Sequence, residues 1–393
     1  MGKEMFDFST AGWRWYNIPD NIKKYLCTEA KFDAATLVKI NPVRAVFACG
    51  DYFVKFEVPD TAFRRWRSIL APKAASEYAS GKALAAAGIP VVEYIGWMRK
   101  KSVNVTVSRR WQGGSGTAEE YIFNTLAQSG YGSEKITDFA AVLRDFTLKI
   151  QNAGFHHPDY HTGNIMCSND GRDIVLVDVY GVKKSSPGHW ARLAMNRILL
   201  PLRQFMDFDT FLDLLSGFPD LADKKKSLEF FRNCRRHDRE VQIKAWSKRQ
   251  QQILSGYPKL VKIEKEYFVR KDETRNPLFM PETAEAENFE YLDMKPEDAF
   301  AIFQFSIYLQ LCGIRHRRAA AWKAPGTLIL EPASAFKSSS GIIAEAEIAA
   351  LKEETAVFGI GTTGNIACDK YGNPCIYDLP GAFESTEIKS IFY

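Results

Sequence analysis

Residues 36–58 concentrate β-branched and aromatic side chains and predict two or three strands. A polar, basic stretch follows. The Ala-rich segment Ala74–Ala87 then brings strong helix formers and closes on Gly88 and Pro90, the usual punctuation of a helix end. Two further strands are expected around Val91–Met98 and Val103–Arg109. From Glu134 to Asn152, apolar residues at Ile136, Phe139, Ala140, Leu143, Phe146 and Ile150 keep a helical period. The sequence GFHHPDYHTGNIM that comes next reads as a loop from its Gly, Pro and Asn content. It leads into a short strand, Ile174–Val177, that ends at Asp178. Residues 190–250 read mostly helical. Strands with one helix first and a helical part second describe a two-lobed α+β protein.

Composition narrows the class. With 393 residues, 46% hydrophobic and 25% charged, and no apolar run near ~18 residues, the chain is expected to be globular and soluble rather than disordered or membrane-spanning. The N-terminus shows no charged-then-apolar signal pattern, and Phe6 stands where a myristoylation signal wants Ser or Thr. A cytoplasmic location, with room for a peripheral place on the inner membrane face, is the expectation. Seven cysteines without a C-x-x-C pair indicate neither a disulfide framework nor a zinc site.

The net charge of +5 is uneven: ten Lys/Arg lie between Lys224 and Arg249 against three acids. Such a segment suits a phosphorylated or anionic-lipid ligand, and equally a solvated connecting helix. The N-terminal aromatics Phe6, Phe8, Trp13, Trp15 and Tyr16 are candidates for peripheral membrane contact, and equally for packing onto the core. No nucleic-acid module accompanies the basic run, so nucleic acid is not an expected partner. No pattern fixes the oligomeric state.

The loop carries the chemistry. His157-Pro158-Asp159-Tyr160-His161-Thr162-Gly163-Asn164 reads H-x-D-x-x-x-x-N, and Asp178 stands fourteen residues after Asn164. Phosphoryl transfer needs such a set: one Asp to orient and deprotonate the attacking hydroxyl, and an Asn with a second Asp to hold magnesium. Magnesium keeps several waters, so two oxygen-bearing side chains suffice. Upstream, Lys55 lies in a predicted strand within reach of a nucleotide's phosphates, and Glu77 lies in the Ala-rich helix in register to pair with it. Each element alone is common. The ordered set is far more specific and predicts an ATP- and Mg2+-dependent kinase-like site.

The stretch HPDYHTGNIM with LVDVYG resembles the catalytic loop of the small-molecule branch of the protein-kinase-like superfamily. Ser68–Trp97, with its K-A-x-x-E helix running into G-I-P, looks like the lipopolysaccharide core kinases of the Kdo/WaaP family. The resemblance covers roughly residues 30–215. It implies Asp159 as catalytic base, Asn164 and Asp178 as magnesium ligands, Lys55 as the phosphate-binding lysine and Glu77 as its partner. It further implies a sugar hydroxyl as acceptor, on a lipopolysaccharide-core or related envelope glycolipid. Two departures stand out: Asn41–Gly50 holds no glycine-rich loop, and Pro158 occupies a position that is commonly Gly or Arg. His157 and His161 are read as scaffold. An aminoglycoside- or choline-kinase type of acceptor site is disfavoured, because Lys183, Lys184, His189 and Arg192 follow Asp178 where carboxylates would bind a cation. A non-catalytic regulator built from kinase-like units is the rival from another class.

The last third echoes the first. Thr162–Cys167 is matched by Thr363–Cys368, Val177–Gly181 by Tyr377–Gly381, Gly88…Trp97 by Gly313…Trp322, Tyr52–Lys55 by Tyr267–Arg270, and Leu-Val-Lys-Ile at 37–40 by the same residues at 260–263. Counting by these spacings places Ile360 for the base Asp159, Ile302 for Glu77 and Arg270 for Lys55, with Asn365 and Asp378 retained. The expected organisation is an N-terminal extension (1–30), a kinase N-lobe (31–112), a C-lobe (113–222), a basic helical linker (223–255) and a truncated, degenerate kinase-like repeat (256–393).

Overall fold

A computed structural model describes every residue except 1–6, 115, 130–131, 185–197, 204, 222, 258–259, 265, 272–276, 281–287, 339–344, 361–365, 370–373, 388 and 393. Phe6, His189, Arg192 and Thr363–Asn365, singled out in the sequence, lie outside the described residues. The chain divides into two compact units: residues 1–121 with 145–191, and residues 122–144 with 192–393. Both mix antiparallel sheet with helix, as the α+β pattern required.

The first unit is built on a six-stranded antiparallel sheet. In chain order its elements are β1 (Arg14–Tyr16), α1 (Asp20–Thr28), β2 (Leu37–Asn41), β3 (Arg44–Cys49), β4 (Tyr52–Glu57), α2 (Ala62–Leu70), α3 (Lys73–Ala86), β5 (Tyr94–Lys100) and β6 (Val103–Arg109). The strand order is β1-β5-β6-β4-β3-β2. Period-two alternation sends Ala45, Phe47, Cys49, Val54, Phe56, Val105 and Val107 to one face, where they form a core with Ile22 and Leu26 of α1. Lys55 and Thr106 take the other face. The N-terminal segment belongs to this core: Phe8 is buried and packs edge-on to Trp13 and Trp15, while Tyr16 stacks on Trp97 with centroids 3.9 Å apart. Phe8 is thus core, while Trp13, Trp15 and Tyr16 pack at its edge and stay partly exposed. The polar, basic stretch after β4 is a helix, α2, capped by Thr61, whose side chain accepts from the Arg64 amide.

Later in the same unit come β7 (Gly116–Thr117), β8 (Phe155–His156), β9 (Ile165–Cys167), β10 (Ile174–Leu176) and β11 (Lys183–Lys184). Strands β9 and β10 form a hairpin with β7 on its edge. Two boundaries of the units along the chain fall within α4 (Ala118–Asn124) and α5 (Glu134–Asn152), the latter with the bounds its periodicity predicts.

The second unit holds α6 (Leu200–Arg203), α7 (Phe208–Ser216) and α8 (Lys224–Leu254), the basic segment as a single 31-residue helix. It does not stand off in solvent along its length: Phe231, Cys234, Arg235, Trp246 and Ile253 are buried. Then follow β12 (Val261–Glu264), β13 (Tyr267–Arg270), β14 (Glu290–Asp293), α9 (Pro296–Leu311), β15 (Ala319–Lys323), β16 (Thr327–Leu330), β17 (Lys337–Ser338), α10 (Glu345–Val357), β18 (Ile366–Cys368), β19 (Pro374–Ile376) and α11 (Leu379–Glu384). The sheet order is β12-β13-β15-β16-β14, and α9 packs into a core that includes Trp246 of α8.

The repeat is present in the backbone. Helix α3 ends at Gly88 (φ +73°), where Ile89 N donates to Leu84 O; α9 ends at Gly313 (φ +66°), where Ile314 N donates to Leu309 O. The chain then pairs in parallel with the second strand of a hairpin, Val91 with Leu176 in one unit and His316 with Ile376 in the other. A bulge falls between Tyr94 and Gly96 in β5, and between Ala319 and Ala321 in β15. One row of partners runs Tyr16–Trp97–Thr106–Lys55 across the first sheet and Phe268–Trp322–Leu328–Leu292 across the second. This corrects one match: Arg270 does not take the place of Lys55. Strand β13 pairs with β15 as β1 does with β5, and Leu292 of β14 stands in the lysine's position.

Candidate active site

Three local decisions bring the predicted residues together. Alternation in β4 puts Val54 and Phe56 in the core and leaves Lys55 on the opposite face. The Ala-rich α3 lies on that face and buries Glu77. Gly81 permits the close approach: a Cβ there would stand 2.1 Å from the Tyr94 ring. Beyond Gly88, the chain staples the β9–β10 hairpin, with Val92 N donating to Leu176 O and Leu176 N to Pro90 O. Asp178, two residues past β10 in left-handed backbone (φ +52°), thereby comes under Lys55.

The Lys55 ammonium donates to both Glu77 carboxylate oxygens at 3.0 Å and to Asp178 Oδ1 at 2.7 Å. Glu77 is fixed further by Tyr94 Oη and Thr106 Oγ1, each donating at 3.3 Å. Arg44 donates to Asp178 Oδ2 at 3.1 Å and to Glu57 at 2.9 Å, and Lys73 lies 3.1 Å from Glu57. Six charges thus alternate in sign along one path: Lys73, Glu57, Arg44, Asp178, Lys55, Glu77. Burial raises the Asp178 carboxyl, but the Lys55 and Arg44 cations outweigh it and hold it at about 2. Burial raises Glu77 against the pull of Lys55, and the neighbouring Asp178 carboxylate adds to the rise. Burial opposes the charge of Lys55, yet the Glu77 and Asp178 carboxylates raise its pKa. Asp178 is therefore the stronger acid of the two.

The loop before β9 is pinned from within. His157 is buried, and its Nδ1 accepts from the Asp159 amide at 3.1 Å; burial lowers it to about 4, against the pull of Asp178 and Asp159. His161 Nδ1 accepts from the Gly163 amide at 3.1 Å, and its Nε2 lies 3.7 Å from Asp159 Oδ2. Tyr160 Oη meets Thr147 Oγ1 at 3.0 Å. Asn164 donates its side-chain amide to the Asp159 carbonyl at 2.9 Å, which leaves the amide oxygen as the end for a cation. The Asp159 side chain stays 67% exposed. The carboxylates of Asp159 and Asp178, the amide oxygen of Asn164 and a fixed lysine thus sit in one unit. Asn164 and Asp178 suit magnesium by donor type.

Arg44 was not among the residues singled out in the sequence. The hairpin before it turns through Pro42 and Val43 alone, and Arg44 leaves that turn opposite Glu57 in register. A basic residue one step past a tight turn was the available signal.

Among the described residues, the equivalent places in the second unit carry a different set. Ile302, Ala319 and Leu328 stand for Glu77, Tyr94 and Thr106, and all three are buried in one apolar cluster with Leu292 packed against it. The small-against-large pair Gly81 and Tyr94 becomes Ser306 and Ala319, with the Ala319 amide donating to Ser306 Oγ at 2.9 Å. Ile360 is buried, and Asp378 caps α11 by accepting from the Gly381 amide at 3.0 Å.

No family model and no curated protein matches the chain. Among solved structures it is similar to one described as WaaP in complex with acyl carrier protein, at 15% identity, 51% coverage of this chain, 87% of that chain and a TM-score of 0.37. It is also similar to a BubR1 kinase domain, at 12% identity, 40% and 48% coverage and a TM-score of 0.30. Among the described residues, no helix is long and apolar enough to cross a membrane.

Proposed function

We propose that this chain is an ATP- and magnesium-dependent phosphotransferase acting on an alcohol group. The supporting observation is the triangle of Lys55, Glu77 and Asp178 in the same compact unit as the Asp159–Asn164 loop. In this reading Lys55, oriented by Glu77, binds the nucleotide's phosphates, and Asp159 accepts the proton of the attacking hydroxyl. Arg44 supplies a second cation where a glycine-rich loop would cover the phosphates. Asn164 and Asp178 hold the metal, which when bound neutralises charge on the transferring phosphoryl group. The acceptor hydroxyl gains the γ-phosphoryl group, ADP leaves, and one proton passes to Asp159.

For the acceptor, the K-A-x-x-E…G-I-P stretch and the H-P-D-Y-H-T-G-N-I loop favour a sugar hydroxyl on a lipopolysaccharide-core or related envelope glycolipid. Residues 256–393 act as a degenerate kinase-like domain without phosphate chemistry. The test is ATP consumption with magnesium against fractionated envelope glycolipids, for the wild type and Asp159→Ala. Turnover confined to a glycolipid fraction and lost in the variant supports the proposal. Transfer to protein instead would overturn the sugar acceptor, and bound ATP without turnover in any fraction would favour a regulatory role.

A further inference from the structure

Helix α2 is mounted with its polar side inward. None of its nine residues is buried. Ser68 Oγ donates to the Ser102 carbonyl at 2.7 Å and meets the Asn104 amide, and Arg99 donates to the Ile69 carbonyl at 3.1 Å. These polar contacts tie the helix to the β5–β6 hairpin. At 100° per residue, Phe63, Trp66, Ile69 and Leu70 share the opposite arc, and they are 68%, 61%, 47% and 64% exposed. A water-facing helix ordinarily buries such an arc, so four large apolar side chains held outward mark a contact surface.

The charge around the arc says what kind. Arg65 and Arg67 project on its two flanks, and Arg99 of β5 lies beside α2 through its bond to the Ile69 carbonyl. Asp60 is paired with Arg64 at 2.8 Å, behind the apolar arc. Trp and Phe between arginines, on a short helix with one strongly apolar side, is the composition of a helix that lies in the plane of a lipid interface. We infer that α2 docks this protein on an anionic lipid surface, with Phe63, Trp66 and Leu70 entering the headgroup boundary and Arg65 and Arg67 meeting lipid phosphates. This inference stands apart from the phosphotransferase reading, since α2 contributes no residue to that site.

The test is flotation of the full chain with vesicles of phosphatidylcholine, alone or mixed with phosphatidylglycerol. Binding is expected only with the mixed vesicles, falling as salt rises. Phe63→Ser with Trp66→Ser is expected to weaken it at least about tenfold, and Arg65→Glu with Arg67→Glu to abolish the preference for phosphatidylglycerol. The replaced side chains face solvent, so both variants should melt like the wild type. Unchanged binding by the serine variant, or no binding to either vesicle, overturns the inference. So does a dimer in light scattering that Trp66→Ser dissolves, which would assign the face to a second copy.

Discussion

Leu292 holds in the second sheet the register position that Lys55 holds in the first. The two rows of partners show how one framework solves the same interior twice. Around Lys55 the neighbours are Glu77, Tyr94 and Thr106, and the interior is an ion pair with every carboxylate oxygen engaged. Around Leu292 they are Ile302, Ala319 and Leu328, and the interior is hydrocarbon. A buried ion pair is weak evidence of stability, because apolar side chains of similar volume fill the same space without desolvating charge. Its retention in one unit fits chemistry rather than packing.

Transplanting the second unit's solution into the first separates these terms. Lys55→Leu alone should cost about 3–5 kcal/mol, because Glu77 is left buried without its cation. Lys55→Leu with Glu77→Ile should recover most of that loss while phosphotransfer stays absent. Urea unfolding alongside ATP turnover reads both. A double variant as unstable as the single one would show that the framework needs the charges.

Gly81→Ala should destabilise the first unit by roughly 1–3 kcal/mol, since the new methyl group meets the Tyr94 ring and overpacks the interface between α3 and β5. Tyr94 orients Glu77, so turnover should fall with stability. Thermal melting of Gly81→Ala beside Gly88→Ala, where a Cβ meets nothing within 4 Å but φ is +73°, distinguishes overpacking from backbone strain.

His157 makes stability depend on pH. Its folded pKa of about 4 lies below the ordinary 6.5, so the unfolded chain binds the extra proton between those values. Stability therefore falls as pH drops from about 6.5 to about 4, by on the order of 3 kcal/mol from this residue. Asp178 acts lower: its folded value of about 2 lies under the ordinary 3.8, so its contribution is present above 3.8 and is lost as pH falls toward 2. His157→Asn, which retains an acceptor for the Asp159 amide, should flatten the upper window alone. Equal pH profiles for variant and wild type in urea unfolding would refute this.

Nucleotide titration should show a single binding event per chain, and Asp178→Ala should remove it. Calorimetry with magnesium and ATP reports the stoichiometry directly. A residual site in Asp178→Ala would mean that the second unit binds nucleotide despite Leu292 and Ile302.

Much of this was legible in the sequence because it is local. The period of 134–152 fixed a helix, Gly88 a helix end, and the spacing from His157 to Asp178 a loop with a carboxylate on either side. The T-G-N-I echo likewise suggested a repeat, since a turn and its hairpin are written within about a dozen residues. What a segment meets across space is not written locally. Matching Tyr52–Lys55 to Tyr267–Arg270 followed side-chain identity, but the position of a strand is set by its hydrogen-bonded neighbours. Only the pairing of β14 with β16 reveals Leu292 as the lysine's counterpart. Arg44 reaches Asp178 across 134 residues, a meeting that no window along the chain contains. The stretch holding α2 reads as polar and basic because three arginines stand among its nine residues. Which of its sides faces the protein was decided by three hydrogen bonds to the β5–β6 hairpin, and these turned its apolar arc outward.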